Sequence, residues 1–117
     1  MASTHRVNRV RELLQRELGD IVMRMRDPRV AMATVVGTEV SRDLHYATMY
    51  VSVMGGEEEQ RAAVEALERA LGHIRSEVAR RVQLRIVPEI RVVHDNTMER
   101  AAHLTALIDS VNQQVED

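Results

Sequence analysis

Four arginines, Arg75, Arg80, Arg81 and Arg85, stand between a glycine at position 72 and a proline at position 88. Arginine carries a planar guanidinium fork that matches phosphate oxygens and can stack on a base. Just before this cluster, Ala70-Leu71-Gly72 falls within an apolar pattern of helical spacing: Leu67, Ala70 and Leu71, Ile74, Val78 and Val82. Glycine costs a helix interior roughly 1 kcal/mol relative to alanine. The run is therefore either one strained helix or two helices meeting at a bend, and the bend, at Ala70, Leu71 and Gly72, is the reading adopted. Backbone N–H groups at the start of the second segment would lack helical partners and, with the helix dipole, attract phosphate. Small residues there would let a sugar–phosphate chain approach closely. Arg75 is placed to reach that phosphate, and Arg80, Arg81 and Arg85 extend the basic surface. Against this stand two structural roles: a helix-surface ion pair for Arg75, and close helix–sheet packing for Gly72.

A second basic stretch opens the chain, where Arg6, Arg9 and Arg16 fall off the apolar stripe of a first helix. They read either as a solvated face or as further RNA contacts, and Arg6 and Arg9 join the candidate RNA-binding set. The 117 residues carry a formal net charge of −2, which alone does not suggest nucleic acid. The distribution is uneven: residues 1–30 hold seven arginines against four acids and residues 69–100 again seven against four, while residues 31–68 hold two against seven. If the fold joins the two basic stretches, an overall acidic protein presents a basic face. All 16 basic residues are arginine, which reflects either genome bias or use.

Other chemistries find no support. The five histidines are scattered, none paired at ligand spacing, so no metal site is expected. There is no phosphate-cradling glycine loop and no nucleophile with a paired base, so neither an enzyme nor a cofactor is expected. Tyr46 and Tyr50 are the only aromatics, which disfavours a sheet that stacks bases. Without cysteine there are no disulfides or thiolate zinc sites, as fits a cytoplasmic protein, and no apolar run approaches the roughly 20 residues of a membrane span.

The elements that must position these residues follow from periodicity. Ser3 or Thr4 caps a first helix whose stripe is Val7, Val10, Leu14, Leu18, Ile21, Val22 and Met25, ended by Asp27-Pro28. Met32–Val40 and Leu44–Val53 read as strands joined by the turn Ser41-Arg42-Asp43. Both faces of the second strand have apolar character, so which one packs on the helices stays open. Glu57-Glu58-Glu59 opens the next helix, where acids complement the dipole. The helix runs to the bend and continues over His73–Val82. A third strand spans Leu84–His94, with Pro88 near its start marking an edge position or a strand entry, and Ala101, Leu104, Ile108, Val111 and Val115 form a C-terminal helical stripe. The fold class is α+β, a single domain over residues 1–117, in the order α-β-β-α-kink-α-β plus a C-terminal helix.

That order, with a bend between paired helices, resembles the type II KH domain, a reader of single-stranded RNA, although the usual GxxG loop is missing. The segments RVNRVRELLQREL from Arg6, DPRV at Asp27–Val30, VSRDLHYATMYVSV at Val40–Val53, ALGHIR at Ala70–Arg75 and LRIVPEIRVVHDNT at Leu84–Thr97 are together similar to the ribosome-binding factor A family. In that family an Ala-x-Gly kink replaces the GxxG loop, and Ala70-Leu71-Gly72 matches it. The resemblance implies an assembly factor that binds the free small ribosomal subunit and its ribosomal RNA. It further implies support for late maturation and 5′-end processing of that RNA, and for growth in the cold. The kink-and-helix surface carries over to Arg75, Arg80 and Arg81. An assembly GTPase is implied as a further partner, with no membrane partner and a monomeric state. The alternatives are a helix-turn-helix DNA-binding protein using residues 60–83, and a protein–protein adaptor that pairs through an exposed strand edge.

Overall fold

A computed structural model describes residues 3–95. The C-terminal helix expected around Ala101–Val115 lies outside the described residues. Helix α1 spans Thr4–Arg24, and the Ser3 hydroxyl caps it by accepting from the Arg6 N–H at 3.2 Å. Its inward stripe, Val10, Leu14, Leu18, Ile21 and Val22, is buried. The helix stops before Asp27-Pro28, because Met25 is already extended (φ −66, ψ 138). Asp27 instead caps a short 3-10 turn over Pro28–Val30, its carboxylate accepting from the Arg29 N–H and guanidinium at 2.9 and 2.7 Å. The Arg29 contacts hold the Asp27 carboxyl at about 2, and the turn seats Val30 in the core.

Strands β1 (Ala33–Val40) and β2 (Tyr46–Val53) pair antiparallel, with a register shift between Val35 and Gly37 that leaves Val36 exposed. Strand β2 begins at Tyr46, two residues later than its pattern suggests. Leu44 belongs to the turn, with φ +64 and its side chain buried. The Asp43 carboxylate fixes that turn by accepting from the Ser41 hydroxyl and the His45 N–H. Ala47, Met49, Val51 and Val53 are the buried face of β2, packed into the core with the helices. Tyr46 and Tyr50 therefore fall on the opposite face, Tyr46 exposed and Tyr50 donating its hydroxyl to Glu39.

Helices α2 (Glu57–Arg69) and α3 (Leu71–Arg81) follow, then strand β3 (Glu89–His94), parallel to β2. The sheet order is β1-β2-β3, so β3 is an edge strand, and Pro88 stands at its entry, immediately before Glu89. It starts later than expected: residues 84–88 form an irregular lead-in whose Pro88 is fully buried. The helices cover one face of the sheet, around a core that includes Leu14, Leu18, Met49, Leu67, Ile74 and Val78.

Candidate nucleic-acid interface

The helical run does break, and it breaks at Ala70 (φ −92, ψ 2). The Ala70 N–H bonds to the Ala66 and Leu67 carbonyls, its own carbonyl accepts from the Ile74 N–H at 2.9 Å, and no side chain caps α3. Leu71 and Gly72 are the first two residues of α3. Close helix–sheet packing does not account for Gly72: a Cβ placed there meets nothing within 4 Å, and the residue is exposed. The start of α3 is thus an uncapped, open helix terminus, the kind of surface that suits an anion.

The arginines after the break divide by partner. Arg75 forms no ion pair with an acid among the described residues. Its Nε and Nη2 donate to the Pro88 and Val87 carbonyls at 3.3 and 2.9 Å, which ties α3 to the lead-in of β3. Carbonyls do not neutralise a guanidinium, so Arg75 keeps its charge. Arg80 pairs with Glu77 one turn back. Arg81 is the most heavily engaged, 2.6 Å from Asp20, 3.4 Å from Glu17 and 3.5 Å from Glu77. These contacts lower the Asp20 carboxyl, chiefly through Arg81 and next Arg24, and raise the Arg81 guanidinium, chiefly through Asp20. Arg81 is a cross-link between α1 and α3, with little free charge for a phosphate. Arg85 is exposed and has no ion pair among the described residues.

The two basic stretches meet away from the break. Beyond α3 the chain returns along the first half of α1, and there a groove of about 440 Å³ opens, lined by Arg6, Arg9, Glu12 and Arg16 on α1, with Val10 and Leu13 beneath and Gln83 and Leu84 opposite. None of the three arginines has an ion pair among the described residues. Arg6 and Arg9 were candidates from the sequence. Arg16 shares with them the reading of solvated face or RNA contact, and the steps of three and seven residues from Arg6 to Arg9 to Arg16 place all three on one helix face. Gln83 and Leu84 carried no sequence signal, because their place depends on how α3 packs against α1.

Among the described residues no group of histidines and acids is placed to hold a metal ion, and no helix is long and apolar enough to cross a membrane. A helix-turn-helix joins its helices by a turn of roughly three to four residues; here Ala70 alone separates α2 from α3. What remains is an α-β-β-α-α-β domain with a three-stranded sheet and a helix break in place of a loop, a KH-like domain of type II.

Known proteins make that class specific. The family model for ribosome-binding factor A matches residues 6–108, and the chain belongs to this family. A ribosome-binding factor A of Acetivibrio thermocellus is 44% identical over 111 residues, covering 93% of this chain and 90% of its own length. One from Thioalkalivibrio sulfidiphilus is 45% identical over 105 residues, covering 89% and 81%. The solution structure of a Thermotoga maritima protein described as a putative ribosome binding factor A superposes with a TM-score of 0.69 at 35% identity, over 82% of this chain and 92% of that one. A Thermus thermophilus ribosome binding factor A, fitted as a homology model into a cryo-electron microscopy map of a 30S complex, gives 0.63 at 29% identity over 73% and 90%.

Proposed function

We propose that this protein is a ribosome assembly factor that binds the free small ribosomal subunit through its ribosomal RNA. In this reading it supports late subunit maturation and 5′-end processing of that RNA in the cytoplasm. The observation that carries this reading is the groove in which Arg6, Arg9 and Arg16 gather without carboxylate partners among the described residues. Three unneutralised guanidinium groups on one helix face form a phosphate-binding surface on a protein of net negative charge. The 30S complex of the Thermus relative supports the choice of subunit. Arg85 and Arg75 add positive charge along the return from α3, and the open start of α3 offers backbone N–H groups. Recognition of this kind uses phosphate and shape in place of a base-edge code. The protein would hold a ribosomal RNA junction in its immature arrangement, and leave when an assembly GTPase or the matured RNA disfavours that arrangement.

Sedimentation of the purified protein with free small subunits, free large subunits and assembled ribosomes tests the reading. Co-sedimentation with free small subunits alone is expected. Equal recovery with all three would reduce the interaction to unselective charge attraction and overturn the assignment.

A further inference from the structure

The groove under Arg6, Arg9 and Arg16 is more than a charged surface. Its floor is apolar: Val10 is buried, and Leu13 and Leu84 are partly buried against the core. Glu12 stands among the three arginines and is ion-paired with none of them. A surface built for a duplex backbone needs no aliphatic floor, and a carboxylate on its rim repels phosphate. Both features suit a nucleobase. Its flat face can be buried against aliphatic side chains, and its edge carries N–H donors of the kind a carboxylate or amide oxygen accepts. The volume of about 440 Å³ falls within the roughly 300–1,000 Å³ of sites that enclose small ligands.

We infer that the groove captures one unpaired nucleotide of the RNA. The base lies over Val10, Leu13 and Leu84, and its donor edge faces the Glu12 carboxylate or the Gln83 amide oxygen. The flanking phosphates sit on Arg6, Arg9 and Arg16. The inference rests on the RNA-binding reading of the same groove and narrows it, from ribosomal RNA in general to a bulged or splayed nucleotide. It gives a purpose to the one acid on an otherwise cationic rim. It also sets out why an arginine-rimmed groove can be selective without aromatic rings.

The test uses the full chain and two RNA hairpins of equal length. One carries a single bulged 2-aminopurine; in the other the same position is paired. The bulged hairpin is expected to bind about tenfold tighter, with a change in 2-aminopurine emission on binding. Glu12→Gln with Gln83→Ala, both exposed positions, is expected to bring the ratio of the two affinities towards one. Equal affinity of the unaltered protein for both hairpins overturns nucleotide capture and leaves the phosphate reading intact. No binding to either hairpin or to small subunits overturns both. A tenfold preference that survives the double substitution places the captured base elsewhere and overturns the assignment to this groove.

Discussion

Arg81 and Arg9 are the same side chain in opposite surroundings. Arg81 lies among Asp20, Glu17 and Glu77, and its charge serves to hold α3 against α1. Arg9 faces an open groove with no carboxylate partner among the described residues, and its charge is left unpaired. Counting arginines therefore says little; what surrounds each guanidinium decides its role. Polar residues in the core obey the same logic. Thr38 is 5% exposed, and its hydroxyl has no hydrogen-bond partner among the described residues. It pairs in register with Met49, on the face of β1 that meets the core. A buried hydroxyl without a partner carries its desolvation cost uncompensated. Thr38→Val keeps the branched shape that strands favour and should raise stability by about 1 kcal/mol. Urea unfolding of the two proteins measures this; a lower midpoint for the valine variant would show that the hydroxyl is satisfied after all.

Between elements, the break at Ala70 makes a distinct claim about Gly72. Gly72 sits inside α3, exposed, with open space where a Cβ would be. Nothing in the fold requires glycine there, so Gly72→Ala should stabilise the protein by up to about 1 kcal/mol through helix propensity and a stiffer unfolded chain. Thermal melts check the sign. A stabilised variant that binds RNA more weakly would show that the glycine is kept for close approach of the sugar–phosphate chain. Element types and their order were legible in the sequence because periodicity survives in this fold: the stripe of α1, the alternation of β2 and the Val/Thr-rich β1 lie where their patterns point. The boundaries were not. Leu44 reads as strand because it is apolar and extends an alternating run, but it turns in the left-handed region with its side chain in the core. Leu84 to Pro88 looks extended, yet the Arg75 guanidinium binds two of its carbonyls and keeps them outside the sheet. For the site, Arg6 and Arg9 could be found by helical spacing. The tying of Arg81 to Asp20 could not, since those residues lie 61 positions apart and meet only through packing.

At the scale of the whole molecule, the uneven charge along the chain becomes an uneven charge in space. The arginine-rich first and third stretches pack together through α1 and α3, and the unpaired guanidinium groups of the first, Arg6, Arg9 and Arg16, open onto one groove that the third closes with Gln83 and Leu84. Acids within those stretches, Glu17, Asp20 and Glu77, are drawn into the α1–α3 contact by Arg81, which leaves Arg6, Arg9 and Arg16 facing solvent. The net charge of −2 thus hides a basic face. Measuring affinity for small-subunit ribosomal RNA as a function of salt concentration, for the unaltered protein and for the Arg6, Arg9, Arg16→Ala triple variant, tests this most directly. With about four phosphates contacted, log affinity should fall against log salt with a slope of roughly −3 to −4 for the unaltered protein. The triple variant should bind more weakly and lose about two to three units of that slope. The same slope in both proteins would contradict the account, because the charge that grips the RNA would then lie outside this groove.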